Sequence, residues 1–350
     1  MFAKRLICWW IGVWGPAAGA FCQTYVGIAP VSGDIRTFPT GINEAGSVAG
    51  YYYNPAGSDI PDGFVRDAGG TITTFDADFA FKSAFALAIN GAGAITGYYF
   101  NSLQFDTGGF VRDPQGNFTY FDPPGSTSTF PQSINTGGAI TGYYFSPNGI
   151  HGFVRYDNGT VISFDPPGSI QTKALSIDAK GAITGYYHEA NNVVHGFVRQ
   201  PGGKIVSFDP PDSTGTFAVS INNAGLITGY YAVASGRIFG FVRDPHGNFT
   251  PFDPGAYTFP TSINDEGAIT GYYSDNSNPR LGTALGFVRS AQGMITSFDP
   301  NNTEPTLCSP LPPCGPQVFP TSINREGVIT GYCYLSPLRR VAQGWVRYPQ

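Results

Sequence analysis

Ile177-Asp178-Ala179-Lys180-Gly181-Ala182-Ile183-Thr184-Gly185-Tyr186 is one of seven copies of a ten-residue pattern, and the spacing inside it decides the fold. The other six copies carry Asn where this one has Asp178, at positions 43, 90, 135, 222, 264 and 324. A glycine follows at three residues and again at seven in every copy, as at Gly181 and Gly185. Asn and Asp tolerate turn geometry and Gly supplies positive φ, so the pattern reads as a tight hairpin between two short strands rich in Ile, Val, Thr and Tyr.

Working outward, a second motif, Gly-[Phe/Trp]-Val-Arg, also recurs seven times and ends at Arg66, Arg112, Arg155, Arg199, Arg243, Arg289 and Arg347. Six copies continue to a Gly four residues on and to a Phe-Asp pair ten residues on, giving Asp76, Asp122, Asp165, Asp209, Asp253 and Asp299. Each unit therefore holds four strands. The repeat length is 42 to 47 residues for the first six units and 60 for the step to the last, a spacing that fits four-stranded propeller blades better than the shorter coils of a β-helix. The expected fold is all-β: a seven-bladed β-propeller of four-stranded antiparallel blades. Unit seven stops three residues after Arg347, so if the ring closes, its fourth strand is expected from the N-terminus. Aligning Tyr25-Val-Gly-Ile-Ala29 with Asn117-Phe-Thr-Tyr-Phe121 supplies it and leaves no exposed sheet edge.

Composition agrees. The 350 residues are 41% hydrophobic and 15% aromatic but only 12% charged, which excludes a disordered chain. Forty-seven Gly and 29 Pro disfavour long helices. A net charge of −5 without runs of Lys or Arg excludes nucleic acid as a partner.

The first residues read as an export signal. Lys4 and Arg5 precede the apolar stretch Leu6 to Trp14, and Ala18-Gly19-Ala20 has the form of a cleavage site. Spanning a membrane takes about 20 apolar residues, so residues 1–20 are expected to be a signal peptide rather than an anchor, with 21–350 as a single domain that is secreted or periplasmic and monomeric. Cys308 and Cys314 flank a short Pro-rich loop and are expected to close it as a disulfide. Cys22 and Cys333 remain without an assigned state, and no Cys-x-x-Cys pair suggests a metal.

His151-Gly-Phe-Val-Arg155, Gly159, Phe164-Asp165 and the Ile177 to Gly185 hairpin together resemble the HAF-type bacterial extracellular repeat, over roughly residues 38 to 350. Two departures stand out: His opens only two of the seven copies, at His151 and His195, and Phe-Asp-Pro-Pro replaces a Leu- and Gly-rich segment. The resemblance implies an exported repeat protein and carries over no catalytic residues.

Two of the four links per unit are constant in length and two vary, so the variation collects on one face, where binding usually resides. There lie Asp122, Asp165, Asp209, Asp253 and Asp299, the histidines His151, His188 and His195, and aromatics such as Phe100 and Phe145. Repetition argues that the Asp residues cap turns, and the seven Arg are expected to fork onto backbone carbonyls and acidic neighbours of the next unit. No catalytic motif, metal or cofactor is expected, and no His stands in a diagnostic spacing with Ser. The leading reading is a binding module for an extracellular polysaccharide or protein. The alternatives are a carbohydrate-active hydrolase or lyase using loop carboxylates, and a structural envelope component.

Overall fold

In a computed structural model, residues 24–31, 36–53, 60–77, 83–101, 106–274, 284–299, 317–334 and 342–349 are described. The signal segment and the Cys308–Cys314 loop lie outside them. Among the described residues there are strands and turns but no helix. After β1 (Thr24–Ile28) the chain runs through β2 (Thr37–Ile42), β3 (Val48–Tyr53), β4 (Pro61–Arg66), β5 (Ile72–Phe75), β6 (Phe85–Ile89), β7 (Ile95–Asn101), β8 (Asp106–Arg112) and β9 (Phe118–Phe121). The central units contribute β10 (Ser128–Ile134), β11 (Ile140–Ser146), β12 (Gly149–Arg155), β13 (Val161–Phe164), β14 (Ser169–Ile177), β15 (Ile183–Glu189), β16 (Val194–Arg199) and β17 (Ile205–Phe208). The last third contributes β18 (Ser213–Ile221), β19 (Ile227–Val233), β20 (Ile238–Arg243), β21 (Phe249–Phe252), β22 (Tyr257–Ile263), β23 (Ile269–Ser274), β24 (Leu285–Arg289), β25 (Ile295–Phe298), β26 (Gln317–Ile323), β27 (Ile329–Tyr334) and β28 (Ala342–Tyr348).

From β2 onward, consecutive strands pair antiparallel in runs of four, and β1 pairs antiparallel with β28 at the end of the chain. Single parallel bridges such as Ser128 with Thr107 and Ile150 with Gln171 tie neighbouring runs together. The hydrogen-bonded sheets are therefore four in number, with 4, 12, 8 and 4 strands.

The hairpins form as the sequence requires. At Gly46, φ is +79° and the N–H donates back to Asn43 O at 3.0 Å. The Asn does more than tolerate the turn. Its Oδ1 accepts the Ser47 N–H at 2.9 Å, while its Nδ2 donates to the carbonyl of Asn90, one repeat away, at 3.0 Å. Asn90 does the same to Asn135, and Asn135 to Asp178. Beyond Asp178, Asn222 donates to Asn264, Asn264 to Asn324, and Asn324 back to Asn43 at 3.2 Å. A carboxylate has no proton to give at the Asp178 step. There Asn223 stands in, accepting the Ala179 N–H at 2.7 Å and Lys180 Nζ at 3.1 Å.

Between successive runs lies the core. The aromatic residue of each Gly-[Phe/Trp]-Val-Arg motif, Phe64 to Trp345, is fully buried, as are the Ile residues opening the second strand of most units. Each such aromatic at full burial contributes about 2–3 kcal/mol.

Two expectations are corrected here. The register of β1 is one residue off the alignment above: Ile28 lies opposite Gly344 as Phe121 lies opposite Gly109, so Tyr25 corresponds to Phe118. Tyr25 and Ile28 are buried and the two residues between them are not, the same spacing as Phe118 and Phe121, and a slip of one residue would turn Ile28 out of the core. The second concerns the Arg side chains, which pack on aromatic rings. Arg112, Arg155, Arg199, Arg243, Arg289 and Arg347 each lie over the Phe ring of the preceding unit's Phe-Asp pair, 4.6 to 5.1 Å from its centre. Desolvation favours the weakly hydrated guanidinium stacked on an aromatic face. Nη1 of Arg112, Arg155, Arg243 and Arg289 also caps the carbonyl of the following residue, as Arg112 does to Asp113 O at 3.3 Å.

Cys333 is fully buried and disulfide-bonded, with its partner outside the described residues.

Candidate functional site

The Tyr-Tyr pairs divide their work because adjacent side chains on a strand point to opposite faces. The second Tyr, such as Tyr144 or Tyr187, packs between sheets, where its hydroxyl bonds a Ser of the outer strand, Ser163 or Ser207. The first Tyr joins a continuous aromatic circuit on the innermost strands. Phe38 stacks on Tyr51 at 5.1 Å, Tyr51 meets Phe85 edge-on at 5.1 Å, and Phe85 stacks on Tyr98 at 4.5 Å. This alternation continues through Phe130, Phe217, Phe259 and Phe319 and returns from Tyr332 to Phe38 at 5.1 Å. One position breaks it: Lys173 replaces the Phe, with Nζ 5.4 Å from the Tyr143 ring and 5.9 Å from Tyr186. Burial pushes the hydroxyls of Tyr51, Tyr98, Tyr230 and Tyr332 well above their ordinary range, that of Tyr98 to about 12.

Two residues further along the same strands, the side chains point the same way but stand at the mouth of this circuit. They are Tyr53, Phe100, Phe145, His188 and Tyr334. Phe100 and Phe145 are each 38% exposed, high for large apolar groups. The Arg36 guanidinium covers Tyr53 at 4.2 Å. His188 packs edge-on against Tyr186, and burial together with Lys173 lowers its pKa, so it is neutral at pH 7.

His151 and His195 lie elsewhere, in the grooves between sheets. His151 Nδ1 is 2.7 Å from Asp165 Oδ2 and His195 Nδ1 is 2.6 Å from Asp209 Oδ2. The other carboxylate oxygen of each Asp accepts from a Thr on the next inner strand, Thr172 or Thr216, at 2.6 Å. Asp122 is held by Thr129 in the same way. At Asp253 the His is replaced by Arg237, which forms the ion pair instead, and Asp299 is buried. Asp122, Asp165 and Asp209 thereby tie one unit to the next through side chains, and Asp253, which takes the Gly255 N–H at 3.0 Å, shows the expected turn capping. The three histidines do not converge: His188 faces the axis, while the other two face the grooves.

Sequence reading missed two features. Ser146 Oγ lies 3.1 Å from His151 Nε2, on the hairpin between β11 and β12. Asp62 occupies the position of His151 in the first unit, where it hydrogen-bonds Asp76. Burial, then this hydrogen bond and the repulsion between the two carboxylates, raise its pKa from 3.8 to about 7. The sign follows directly: the unfolded chain releases this proton near 3.8 and the folded chain near 7, so stability present below pH 4 is lost as pH rises to 7. Asp62→Asn should therefore leave the thermal midpoint unchanged at pH 4 and raise it above that of the natural chain at pH 8. A midpoint gap independent of pH would disprove the shared proton.

On the opposite, constant-length face a cavity of about 260 Å³ is lined by Asp244, Asp265, Glu266 and Arg289, below the roughly 300 Å³ of a small-molecule site. Among the described residues no group of three or more His, Cys, Asp or Glu could hold a metal, and no helix is long and apolar enough to cross a membrane.

No family model and no curated relative matches this chain. Solved structures do. The β-propeller domain of the Trilobed protease from Pyrococcus furiosus, described as having an open velcro topology, aligns over 91% of this chain and 94% of its own with a TM-score of 0.61 at 9% identity. Virginiamycin B lyase from Staphylococcus aureus aligns over 94% and 100% with a TM-score of 0.57 at 13% identity. These likenesses make the fold that of a β-propeller, and at such identities they say nothing of the chemistry.

Proposed function

We propose that this chain is an exported seven-bladed propeller of the HAF-repeat kind, closed by β1 as the fourth strand of its last blade, and that it binds an extracellular polysaccharide at the mouth of its axis. Seven runs of four strands support the blade count once the single-residue parallel bridges are taken as contacts between blades. Closure is supported by the β1–β28 ladder, by the Asn324–Asn43 bond and by the Tyr332–Phe38 contact, each joining the two ends of the chain. The signal-like residues 1–20 support export.

One observation carries the binding reading: Phe100 and Phe145, on neighbouring units, hold exposed rings at the mouth of an otherwise packed aromatic circuit. A core has no use for exposed Phe, whereas the C–H face of a sugar ring packs on such a surface and its hydroxyls find partners in His188 and Lys173 nearby. Residues 21–350 should be retained by at least one polysaccharide on an array. The double variant Phe100→Ala/Phe145→Ala should weaken retention about tenfold or more, two side chains at roughly 1 kcal/mol each, with an unchanged thermal midpoint. Retention unaffected by the double variant would rule out the mouth as the site.

A further inference from the structure

We propose that Ser146, His151 and Asp165 form a serine-hydrolase triad on the variable face, acting on ester-linked acyl groups. The two contacts of the imidazole point to it. His151 Nδ1 is 2.7 Å from Asp165 Oδ2 and Nε2 is 3.1 Å from Ser146 Oγ, so the tautomer that donates to the carboxylate leaves Nε2 free to accept the hydroxyl proton. Asp165 is itself held, its second oxygen accepting from Thr172 Oγ1 at 2.6 Å, and Thr172 is fully buried. The His151 ring packs at 5.3 Å against Tyr144, whose hydroxyl is bonded to Ser163. All three groups stand on or beside strands rather than long loops, which fixes them as a nucleophile, base and orienting group must be fixed.

The fold contains its own control. His195 repeats the arrangement with Asp209, Thr216 and Tyr187, at the same distances. Its Nε2, however, faces Glu189 Oε1 at 3.7 Å, and among the described residues no hydroxyl hydrogen-bonds it. The His-Asp-Thr part is thus common architecture, and Ser146 is what sets the third unit apart.

The reaction balances with water as co-reactant. Ser146 Oγ attacks the ester carbonyl while His151 Nε2 takes its proton. The tetrahedral adduct collapses, the C–O bond to the alcohol breaks and His151 returns the proton to that oxygen. Water, deprotonated by His151, then attacks the acyl-serine; the C–Oγ bond breaks, the acid is released and His151 returns that proton to Ser146 Oγ. The Asn148 N–H, 3.0 Å from Ser146 Oγ, steadies charge as the proton leaves. Esters rather than amides are the expected substrates because an ester makes the smaller demand on oxyanion stabilisation and its alcohol is the better leaving group. The side chains of His151 and Asp165 are 24% and 37% exposed, open enough for an acyl group carried on a polymer to reach them. This activity does not depend on the polysaccharide reading, and its test uses no polymer.

Purified residues 21–350 would be treated with an alkyl fluorophosphonate, which phosphonylates activated serines, and separately with p-nitrophenyl acetate. Peptide mass spectrometry should find the adduct on Ser146. Ser146→Ala, on an exposed hairpin where it leaves the fold intact, should abolish labelling and ester hydrolysis. His151→Ala should slow both by about 10² or more, and His195→Ala, which removes an equally packed ring, should leave both unchanged. Asp165→Asn should lower kcat while KM holds, a split that a folding defect does not produce. Three results would each overturn the triad: an adduct on another serine, no adduct on the folded chain, or hydrolysis equal in Ser146→Ala.

Discussion

A chain beginning at residue 32 is expected to unfold at a markedly lower temperature than one beginning at residue 21, and to aggregate. The segment removed contains β1. Ile28 is 1% exposed and Tyr25 7%, the latter set edge-on to Trp345 at 6.1 Å, and Tyr25 also bonds Arg347. Burying two such side chains is worth about 4 kcal/mol, and five residue pairs of ladder to β28 go with them. Without β1, β28 presents an unpaired hydrogen-bonding edge to other molecules. Differential scanning calorimetry and light scattering read both effects, and a synthetic peptide of residues 21–31 should restore part of the lost midpoint. Equal midpoints for the two chains would mean that β1 is an accessory strand.

The second large effect is expected from one methyl group. In every unit a bulge on the innermost strand, for example between Ala86 and Ala88, pushes the backbone towards the glycine of the Gly-Tyr pair. At Gly97 a Cβ would overlap the Phe85 carbonyl oxygen, a backbone atom that cannot rotate away. Gly97→Ala should destabilise by about 3 kcal/mol, the upper range for overpacking, measured as a lower urea midpoint. Gly202→Ala is the matching control: nothing lies within 4 Å of its Cβ position, and it should change stability by less than about 0.5 kcal/mol. If the two substitutions behave alike, the invariant glycine has another cause.

Much of the fold was legible because turns are local. A glycine at fixed distance from an Asn states a hairpin whatever surrounds it, and seven such statements at nearly constant spacing specify the repeat. What one unit does to the next was harder to read, since partners 42 to 60 residues apart leave little trace. The Asn circuit did leave one: six amides and a single Asp178 is a bias that turn geometry, which accepts either residue, does not require. The Arg over Phe stacking left none of its own: the constant ten residues from Arg to Phe-Asp measure a hairpin within one unit, whereas each Arg lies over the Phe of the unit before. The register of β1 slipped by one because the strand has Ile28 where its counterparts have the Phe of the Phe-Asp pair.

The site was legible only in part. Loop-length variation pointed to one face, and the face carries His151, His188, His195 and the exposed Phe100 and Phe145. That His188 faces the axis while the other two face grooves follows from the alternation of strand faces, which loop lengths do not reveal. Ser146 was invisible for a different reason. It sits five residues before His151 across a hairpin, and Asp165 arrives from the next strand, so the three meet only after two turns have folded.

Where a ligand sits tests the binding account most directly. Crystals of residues 21–350 grown with an oligosaccharide of the retained polymer should show a sugar ring against Phe100 and Phe145, near His188. A sugar bound instead among the Asn and Arg turns of the opposite face, near Asp244 and Glu266, would contradict it.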